Sequence, residues 1–172
     1  AAPSDQPGHH ILYEEQISED HRYARFAPNH VTPHFGVIEA NGHALHYRLT
    51  RPAAPQGKHP TIVYVYGGPG AQKVRRDWGT LLVQMFAQQG YGVLEIDNRG
   101  STNRGRLFEA CLYKSMGSIE VDDQVLGLSV LTHEPWADLE RVGVFGHSYG
   151  GYMSLMCLCR AGKYFKAGVA VA

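Results

Sequence analysis

A serine between two glycines lies where an apolar run passes into an amphipathic segment. Residues 142–145 are apolar, and the motif Gly-His-Ser-Tyr-Gly follows at residues 146–150. A strand, a tight turn and a helix in that order hold a serine on a strained elbow, with its hydroxyl clear of the sheet. The glycines lack the Cβ atoms that would clash in so sharp a turn. Ser148 is therefore the candidate nucleophile.

A serine hydroxyl is a weak nucleophile until a histidine, oriented by a carboxylate, removes its proton. When the serine lies on such an elbow, these two partners follow it in chain order. Residues 149–172 contain no Asp, Glu or His. We therefore expect the acid and the base to lie beyond Ala172, and the chain to be a fragment or one piece of a nicked protein. The neighbouring His147 is expected to point away from the reacting face of the hydroxyl.

The tetrahedral intermediate of acyl transfer needs hydrogen-bond donors for its oxyanion. The backbone N–H of Tyr149 is one candidate, because this residue follows the nucleophile. The second donor must come from the glycine-rich loop that starts at Tyr66. The backbone N–H of Gly67 or Gly68 and the phenol of Tyr66 are both candidates, and a packed aromatic residue at a strand end is an equally good interpretation of Tyr66.

Apolar runs predict the sheet that carries this elbow. Residues 35–39 and 44–49 flank Asn41-Gly42, a pair typical of two-residue hairpin loops. The later runs are almost entirely apolar, which is typical of parallel strands buried on both faces. They comprise residues 61–66, 91–96, 142–145 and 167–171.

Helical patterns separate these runs. Apolar residues at 78, 81, 82, 85 and 86 have the spacing of one helix face, and Gly90 supplies a stop. A second helix is predicted over about residues 119–131, with carboxylates in its first turn that complement the helix dipole, and a third begins at the elbow. The order of elements predicts an α/β fold with a mostly parallel sheet, opened by an antiparallel hairpin and truncated after about the sixth strand.

Composition argues against several classes of function. Lys plus Arg and Asp plus Glu number 16 each, so no overall charge favours nucleic acid or an anionic membrane. No apolar run reaches the roughly 18 residues that span a bilayer. The three cysteines and ten histidines lack metal-binding spacing. The loop at residues 67–70 also lacks a nucleotide-binding motif, so no metal or other cofactor is expected.

Composition also changes near residue 35. Residues 1–34 are rich in Pro, His and acidic side chains with little periodicity, which predicts a connector. Residues 35–172 are predicted to form the N-terminal part of a catalytic domain. Within them, the turn at residues 97–101 follows the fourth strand. Arg99 in this turn is interpreted either as a ligand for a substrate carboxylate or, preferably, as part of a structural salt bridge, and Asp97 is not assigned to the triad.

Five blocks occur in order along the chain, at residues 65–72, 97–101, 120–124, 146–153 and 165–172. Together they span most of the predicted domain. They resemble the hydrolase domain of the prolyl oligopeptidase family, which has an α/β-hydrolase fold, and within it the bacterial dipeptidyl peptidase IV branch. In that branch Trp is common where this chain has His147.

The resemblance implies roles for the residues already singled out. It implies Ser148 as the acylating nucleophile, and the Tyr149 N–H and Tyr66 hydroxyl as the oxyanion hole. It also implies that the Tyr149 ring forms one wall of a pocket for a proline-like side chain. The acid and base of this family would lie beyond Ala172, and its amine-binding glutamates in an upstream β-propeller, from which residues 1–34 would exit.

The same resemblance implies a serine exopeptidase that releases N-terminal dipeptides with Pro or Ala in the second position through an acyl-enzyme. The 172-residue chain alone is expected to be inactive. The alternatives are an acylaminoacyl-peptidase, a prolyl endopeptidase or an esterase of the same fold, and, outside enzymes, a catalytically dead binding or scaffold domain. Peptide substrates, a homodimer of the full-length protein and a periplasmic or secreted location are further implied, with the cytoplasm as the alternative location.

Overall fold

The computed structural model describes residues 17–40 and 42–172, which divide into two units. Residues 17–30 form the first unit, which consists of turns and a short 3₁₀ helix, Ala27–Asn29. Within it, the Tyr23 hydroxyl lies 2.8 Å from Nδ1 of His30. Val31–Ala172 form the second unit. The connector over residues 1–34 and the domain over residues 35–172 stay predictions.

An antiparallel hairpin opens the sheet of the second unit. Strand β1 (His34–Ala40) pairs with strand β2 (His43–Thr50), and Ala40 lies opposite His43. This register confirms the hairpin predicted from the runs that flank Asn41-Gly42. Asn41 itself lies outside the described residues.

Four further strands complete a six-stranded sheet in the described part of the chain. They are β3 (His59–Val65), β4 (Gly92–Asp97), β5 (Ala137–His147) and β6 (Ala167–Val171). The spatial order is β1-β2-β4-β3-β5-β6. β2 and β4 are antiparallel, whereas β4, β3, β5 and β6 run parallel to their neighbours in that order. The predicted α/β fold, with a mostly parallel sheet opened by an antiparallel hairpin, is confirmed.

Helices lie between these strands, and the predicted ones are present. The stop predicted at Gly90 is confirmed, since this residue has φ 85° and follows the first helix. The helix predicted over residues 119–131 starts as expected, but its last part, Leu128–His133, is 3₁₀. Over residues 17–40 and 42–172, no helix is long and apolar enough to cross a membrane. The helices are α1 (Leu81–Gln88), α2 (Arg106–Glu109), α3 (Ile119–Gly127) and α4 (Tyr149–Ala161).

The two faces of the sheet carry different helices, because successive side chains of a strand point to opposite faces. Val63 of β3 lies in the main core together with Met153 of α4. Tyr64, the next residue, points the other way. Its ring centroid lies 5.3 Å from that of Phe145, which in turn lies 6.0 Å from that of Phe86 in α1. The helix that follows the elbow and the helix between β3 and β4 therefore cover opposite faces.

Burial differs sharply between the centre and the edge of the sheet. All residues of β4 are buried, as predicted for parallel strands covered on both faces. The same prediction is wrong for β6, whose five residues are all exposed. β6 is the last strand at one edge of the described sheet, and its Ala, Gly and Val side chains are small. Such a strand has one neighbour and little side-chain area to bury.

The apolar stripe predicted for the first helix is also not its buried face. Trp78, Leu81 and Met85 are 56%, 69% and 50% exposed. Val83 and Ala87 are buried instead. The helix forms where predicted, but its orientation is set by packing against the sheet, which the spacing of apolar residues does not reveal.

A buried ion-pair network braces β2 against β4. Arg48 donates from Nε to Oε2 of Glu95 at 2.6 Å and from its NH1 to Asp77 at 2.9 Å. Nζ of Lys73 lies 3.5 Å from the other oxygen of Glu95. Each buried charge therefore has an opposite charge beside it, as such burial requires. Through Lys73 and Asp77, the network also fastens the segment that follows the glycine-rich loop.

Candidate active site

Ser148 lies at the sharp turn between β5 and α4. Its backbone has φ 58° and ψ −121°, a region that costs a non-glycine residue on the order of 1–3 kcal/mol. The residue is exposed. The end of β6 supports the turn, because the Ser148 N–H donates to the Val171 carbonyl at 2.8 Å. The predicted strand, turn and helix are therefore present, with the serine at the turn.

Two glycines allow α4 to approach the sheet at this point. A Cβ on Gly146 would overlap the backbone of Gly150. A Cβ on Gly150 would overlap the Val65 carbonyl oxygen and lie 3.2 Å from Cα of Tyr66. An alanine at 146 would push the first turn of α4 away from β5, and an alanine at 150 would push it away from the end of β3. The first turn of α4 and the residue after β3 therefore lie side by side.

Tyr149 is the first residue of α4, and its backbone N–H has no acceptor within the helix, because the first four amides of a helix have none. The positive end of the helix dipole favours an anion at the same place. Tyr66 lies beside it, with the two ring centroids 6.0 Å apart. The structure thus brings Ser148, Tyr149 and Tyr66 together at the carboxyl ends of β3 and β5.

The glycine-rich loop packs against the Tyr149 ring. A Cβ on Gly68 would lie 2.5 Å from Cγ of this ring, so a larger residue could not make the same approach. The Gly67 carbonyl accepts a hydrogen bond from the Asn98 side chain at 2.9 Å. The loop backbone is therefore held between the elbow and the end of β4, and its N–H groups stay candidates for the second oxyanion donor beside the phenol of Tyr66.

Two residues that follow each other at the end of β4 hold this loop. Asp97 accepts the backbone N–H groups of residues 73 and 74, at 2.7 and 3.2 Å. Burial raises the pKa of Asp97, and the hydrogen bonds from these two amides oppose the rise. Asn98 is fully buried, and its Oδ1 accepts from Nε2 of Gln124 at 2.8 Å. Asp97 is thus engaged with loop backbone, and Asn98 links the loop to α3.

Arg99 forms a salt bridge with Asp123 of α3. Its Nε and NH2 donate to the carboxylate at 3.0 and 2.6 Å, and its backbone N–H donates at 2.8 Å. The hydrogen bond to Asp123 raises the pKa of Arg99. Of the two interpretations of Arg99, the structural salt bridge is the one that the structure contains.

Glu120 is a residue whose connection to the site the sequence did not reveal. The Tyr149 hydroxyl donates to Oε1 of Glu120 at 2.9 Å. Burial raises the pKa of Tyr149 well above its usual range, and the hydrogen bond to Glu120 adds to the rise. In the sequence, Glu120 stood out only as a carboxylate in the first turn of a helix. Its place in the block at residues 120–124 was the available signal.

The site is a serine on a strand–turn–helix elbow of an α/β-hydrolase fold, and comparison with known proteins gives its family. A sequence profile described as "Prolyl oligopeptidase family" matches residues 79–172. The chain belongs to the prolyl oligopeptidase family. This confirms the resemblance inferred from the five blocks.

Several relatives bear the names of dipeptidyl peptidases. Dipeptidyl peptidase 8 from Homo sapiens is 40% identical over 150 residues, which cover 83% of this chain and 17% of the relative. A "Probable dipeptidyl-aminopeptidase B" from Arthroderma otae is 32% identical over 173 residues, or 96% of this chain and 19% of the relative. A crystal structure of a "putative dipeptidyl aminopeptidase IV" from Bacteroides ovatus matches with a TM-score of 0.78 at 42% identity, over 83% of this chain and 21% of that one. The chain therefore spans about a fifth of the length of these relatives.

Proposed function

We propose that the protein carrying this chain is a serine dipeptidyl peptidase that releases N-terminal dipeptides with Pro or Ala in the second position. The observation that carries the proposal is the exposed Ser148 on its elbow, with the Tyr149 N–H and Tyr66 beside it. The similarity to proteins named dipeptidyl peptidase and dipeptidyl-aminopeptidase, at 40% and 32% identity, supports the release of dipeptides. The preference for Pro or Ala rests on the family resemblance.

In the proposed reaction, the Ser148 hydroxyl attacks the carbonyl carbon of the second substrate residue. The hydroxyl proton passes to a histidine base while the carbonyl oxygen becomes an oxyanion. The Tyr149 N–H and the Tyr66 hydroxyl donate to this oxyanion, where the developing charge makes such donors most effective. The amine then leaves with the proton from the histidine, and water hydrolyses the acyl-enzyme.

The histidine and its orienting carboxylate are assigned to residues outside this chain. Residues 149–172 contain no Asp, Glu or His, and on this fold both partners follow the serine. Asp97, the last residue of β4, already accepts hydrogen bonds from the backbone N–H groups of residues 73 and 74. The 172-residue chain alone is therefore expected to be inactive.

The Tyr149 ring is proposed as one wall of the pocket for the second substrate side chain. It is partly buried and follows the nucleophile directly. Tyr152 supports it from α4, with ring centroids 5.3 Å apart in an edge-on arrangement. A flat aromatic face gives apolar contact to a proline ring without a large loss of side-chain freedom.

We further propose that the full-length protein is a homodimer that acts in the periplasm or outside the cell. Both statements rest on the resemblance to bacterial dipeptidyl peptidases. Light scattering of the purified full-length protein tests the first, and cell fractionation with activity measurements tests the second. A monomer, or activity confined to the cytoplasm, would contradict the respective statement.

Three substrates test the proposed activity in the full-length protein. They are Gly-Pro-p-nitroanilide, its N-blocked form and a simple p-nitrophenyl ester. A dipeptidyl peptidase should cleave the free-amine anilide and leave the blocked one nearly intact. Cleavage of the blocked anilide or the ester alone would keep Ser148 as nucleophile but assign the protein to an endopeptidase, acylpeptidase or esterase. Failure to cleave any of them would favour a dead binding domain.

A further inference from the structure

Glu120 is a fully buried carboxylate in the first turn of α3. Its oxygens accept the backbone N–H groups of Gly117 and Ser118, at 2.5 and 3.0 Å, and the hydroxyl of Tyr149 at 2.9 Å. A buried carboxylate is costly unless hydrogen bonds compensate it, and the start of a helix favours its charge. Two of the three donors belong to its own turn, whereas the third belongs to the elbow.

The backbone that leads into Glu120 is itself fastened to α4. Arg160 donates from its NH1 to the Gly117 carbonyl at 2.5 Å. A Cβ on Gly117 would overlap the hydroxyl oxygen of Tyr152, so this turn lies directly on the helix surface. Glu120 therefore reaches Tyr149 from a support that is joined to the same helix as the elbow.

The Tyr149 side chain is held along its whole length. Gly68 packs on the ring near Cγ, and Tyr152 contacts it edge-on. At the far end, the hydroxyl is bound by Glu120. A phenol is protonated at neutral pH because its ordinary pKa is about 10, and burial and this hydrogen bond raise the pKa of Tyr149 further. A swing of the whole ring about the Cα–Cβ bond would carry the hydroxyl away from Glu120, and a buried carboxylate that loses a hydrogen-bond partner is costly.

We propose that Glu120 is a positioning residue, which fixes the position of the Tyr149 ring and thereby sets the preference for proline over alanine before the scissile bond. This inference rests on the proposed function, because it assigns the ring to the pocket of a dipeptidyl peptidase. A proline ring is rigid and cannot adapt to a displaced wall. The methyl group of alanine is small and makes few contacts with the wall in either position.

The test measures kcat/KM of the full-length protein for Gly-Pro-p-nitroanilide and Gly-Ala-p-nitroanilide. Glu120→Leu replaces the carboxylate by an apolar side chain of similar size that cannot accept a hydrogen bond, and Tyr149→Phe removes the hydroxyl but keeps the ring. Asp122→Asn is the matched control, because Asp122 is an exposed carboxylate of the same helical turn.

Both test variants should lower the Pro-to-Ala ratio of kcat/KM by about tenfold, the low end of what one methylene contact contributes to discrimination. The double variant should lower it no further, since the two side chains act through one bond. Asp122→Asn should leave the ratio unchanged. If Glu120 only stabilises its turn, its substitution should lower the melting temperature and leave the Pro-to-Ala ratio of kcat/KM unchanged.

An unchanged ratio in Glu120→Leu overturns the inference. If that variant does not fold, an unchanged ratio in Tyr149→Phe overturns it instead. These results are distinguishable from a failure of the proposed function, because they require an unsubstituted protein that cleaves both anilides. An unsubstituted protein that cleaves neither would contradict the proposed function, and this inference with it.

Discussion

Tyr66 is the residue whose proposed role depends on a single oxygen atom. Its ring packs beside Tyr149 whether or not its hydroxyl takes part in the reaction. Tyr66→Phe keeps the ring and removes the hydroxyl. If the hydroxyl donates to the oxyanion, this variant should lower kcat by roughly 10²-fold or more, because the bond is strongest in the transition state. Steady-state kinetics with Gly-Pro-p-nitroanilide measure the effect.

Tyr91→Phe is the control for that substitution. Tyr91 precedes β4 and therefore lies at the end of the sheet away from the elbow. The kcat of the Tyr91→Phe variant should therefore match that of the unsubstituted protein. A normal kcat in Tyr66→Phe would leave Tyr66 with a packing role only. The second donor would then be an N–H of Gly67 or Gly68.

The places of Ser148 and Tyr149 at the turn and the helix start were predictable from the sequence, because strand, turn and helix are adjacent in the chain. Their roles in the reaction stay predictions. The bond between Glu120 and Tyr149 was not, because it joins residues on two helices that only the folded sheet brings together. The choice between two roles for Arg99 likewise depended on Asp123, a residue of a different element.

Among the elements, Asn98 at the end of β4 and Gln124 in the middle of α3 act together on the loop after β3. Asn98 donates to the Gly67 carbonyl and accepts from Gln124. Asn98→Ala would leave the Gly67 carbonyl without its side-chain donor and Gln124 Nε2 with only its 3.4 Å bond to the Ile96 carbonyl, at a cost of about 1–3 kcal/mol. We expect it to lower kcat as well, because the loop that begins at Tyr66 loses its anchor.

A double-mutant cycle separates positioning from stability. If Asn98 acts through Tyr66, Asn98→Ala should lower kcat much less in the Tyr66→Phe background than in the unsubstituted protein. Equal effects in both backgrounds, with the expected fall in melting temperature, would mean that Asn98 only stabilises the fold.

Element types were predictable from periodicity, whereas burial was not. The apolar period correctly placed a helix near Leu81, but this residue is exposed, because the helix presents Val83 and Ala87 to the sheet. The apolar run at residues 167–171 correctly gave a strand, but not a covered one. Spacing defines which residues share a face. The neighbours that cover that face are set by the topology.

For the whole molecule, the pH dependence of the unfolding free energy should reflect the hydrogen bond between Tyr149 and Glu120. Burial and this bond raise the pKa of Tyr149 above its ordinary value. As pH rises, the unfolded state therefore loses the phenolic proton first. The stabilisation from this group is complete below the unfolded pKa of about 10 and declines above it.

Urea unfolding of the full-length protein and its Tyr149→Phe variant checks this sign. The difference in unfolding free energy should be constant up to about pH 9 and should shrink between about pH 10 and 11. A difference that grows over the same interval would contradict a raised pKa and the buried hydrogen bond that contributes to it.

The proposed mechanism depends on the claim that Ser148 is the nucleophile, which covalent labelling of the full-length protein tests. Diisopropyl fluorophosphate forms a bond from a reactive serine Oγ to phosphorus with loss of fluoride, and peptide mass spectrometry locates the adduct. One adduct is expected, on Ser148, and it should form in step with the loss of Gly-Pro-p-nitroanilide hydrolysis. Ser148→Ala should fold normally, take up no label and lose activity by roughly 10⁵-fold or more. An adduct on another serine that abolishes activity, or turnover that survives in Ser148→Ala, would contradict the claim.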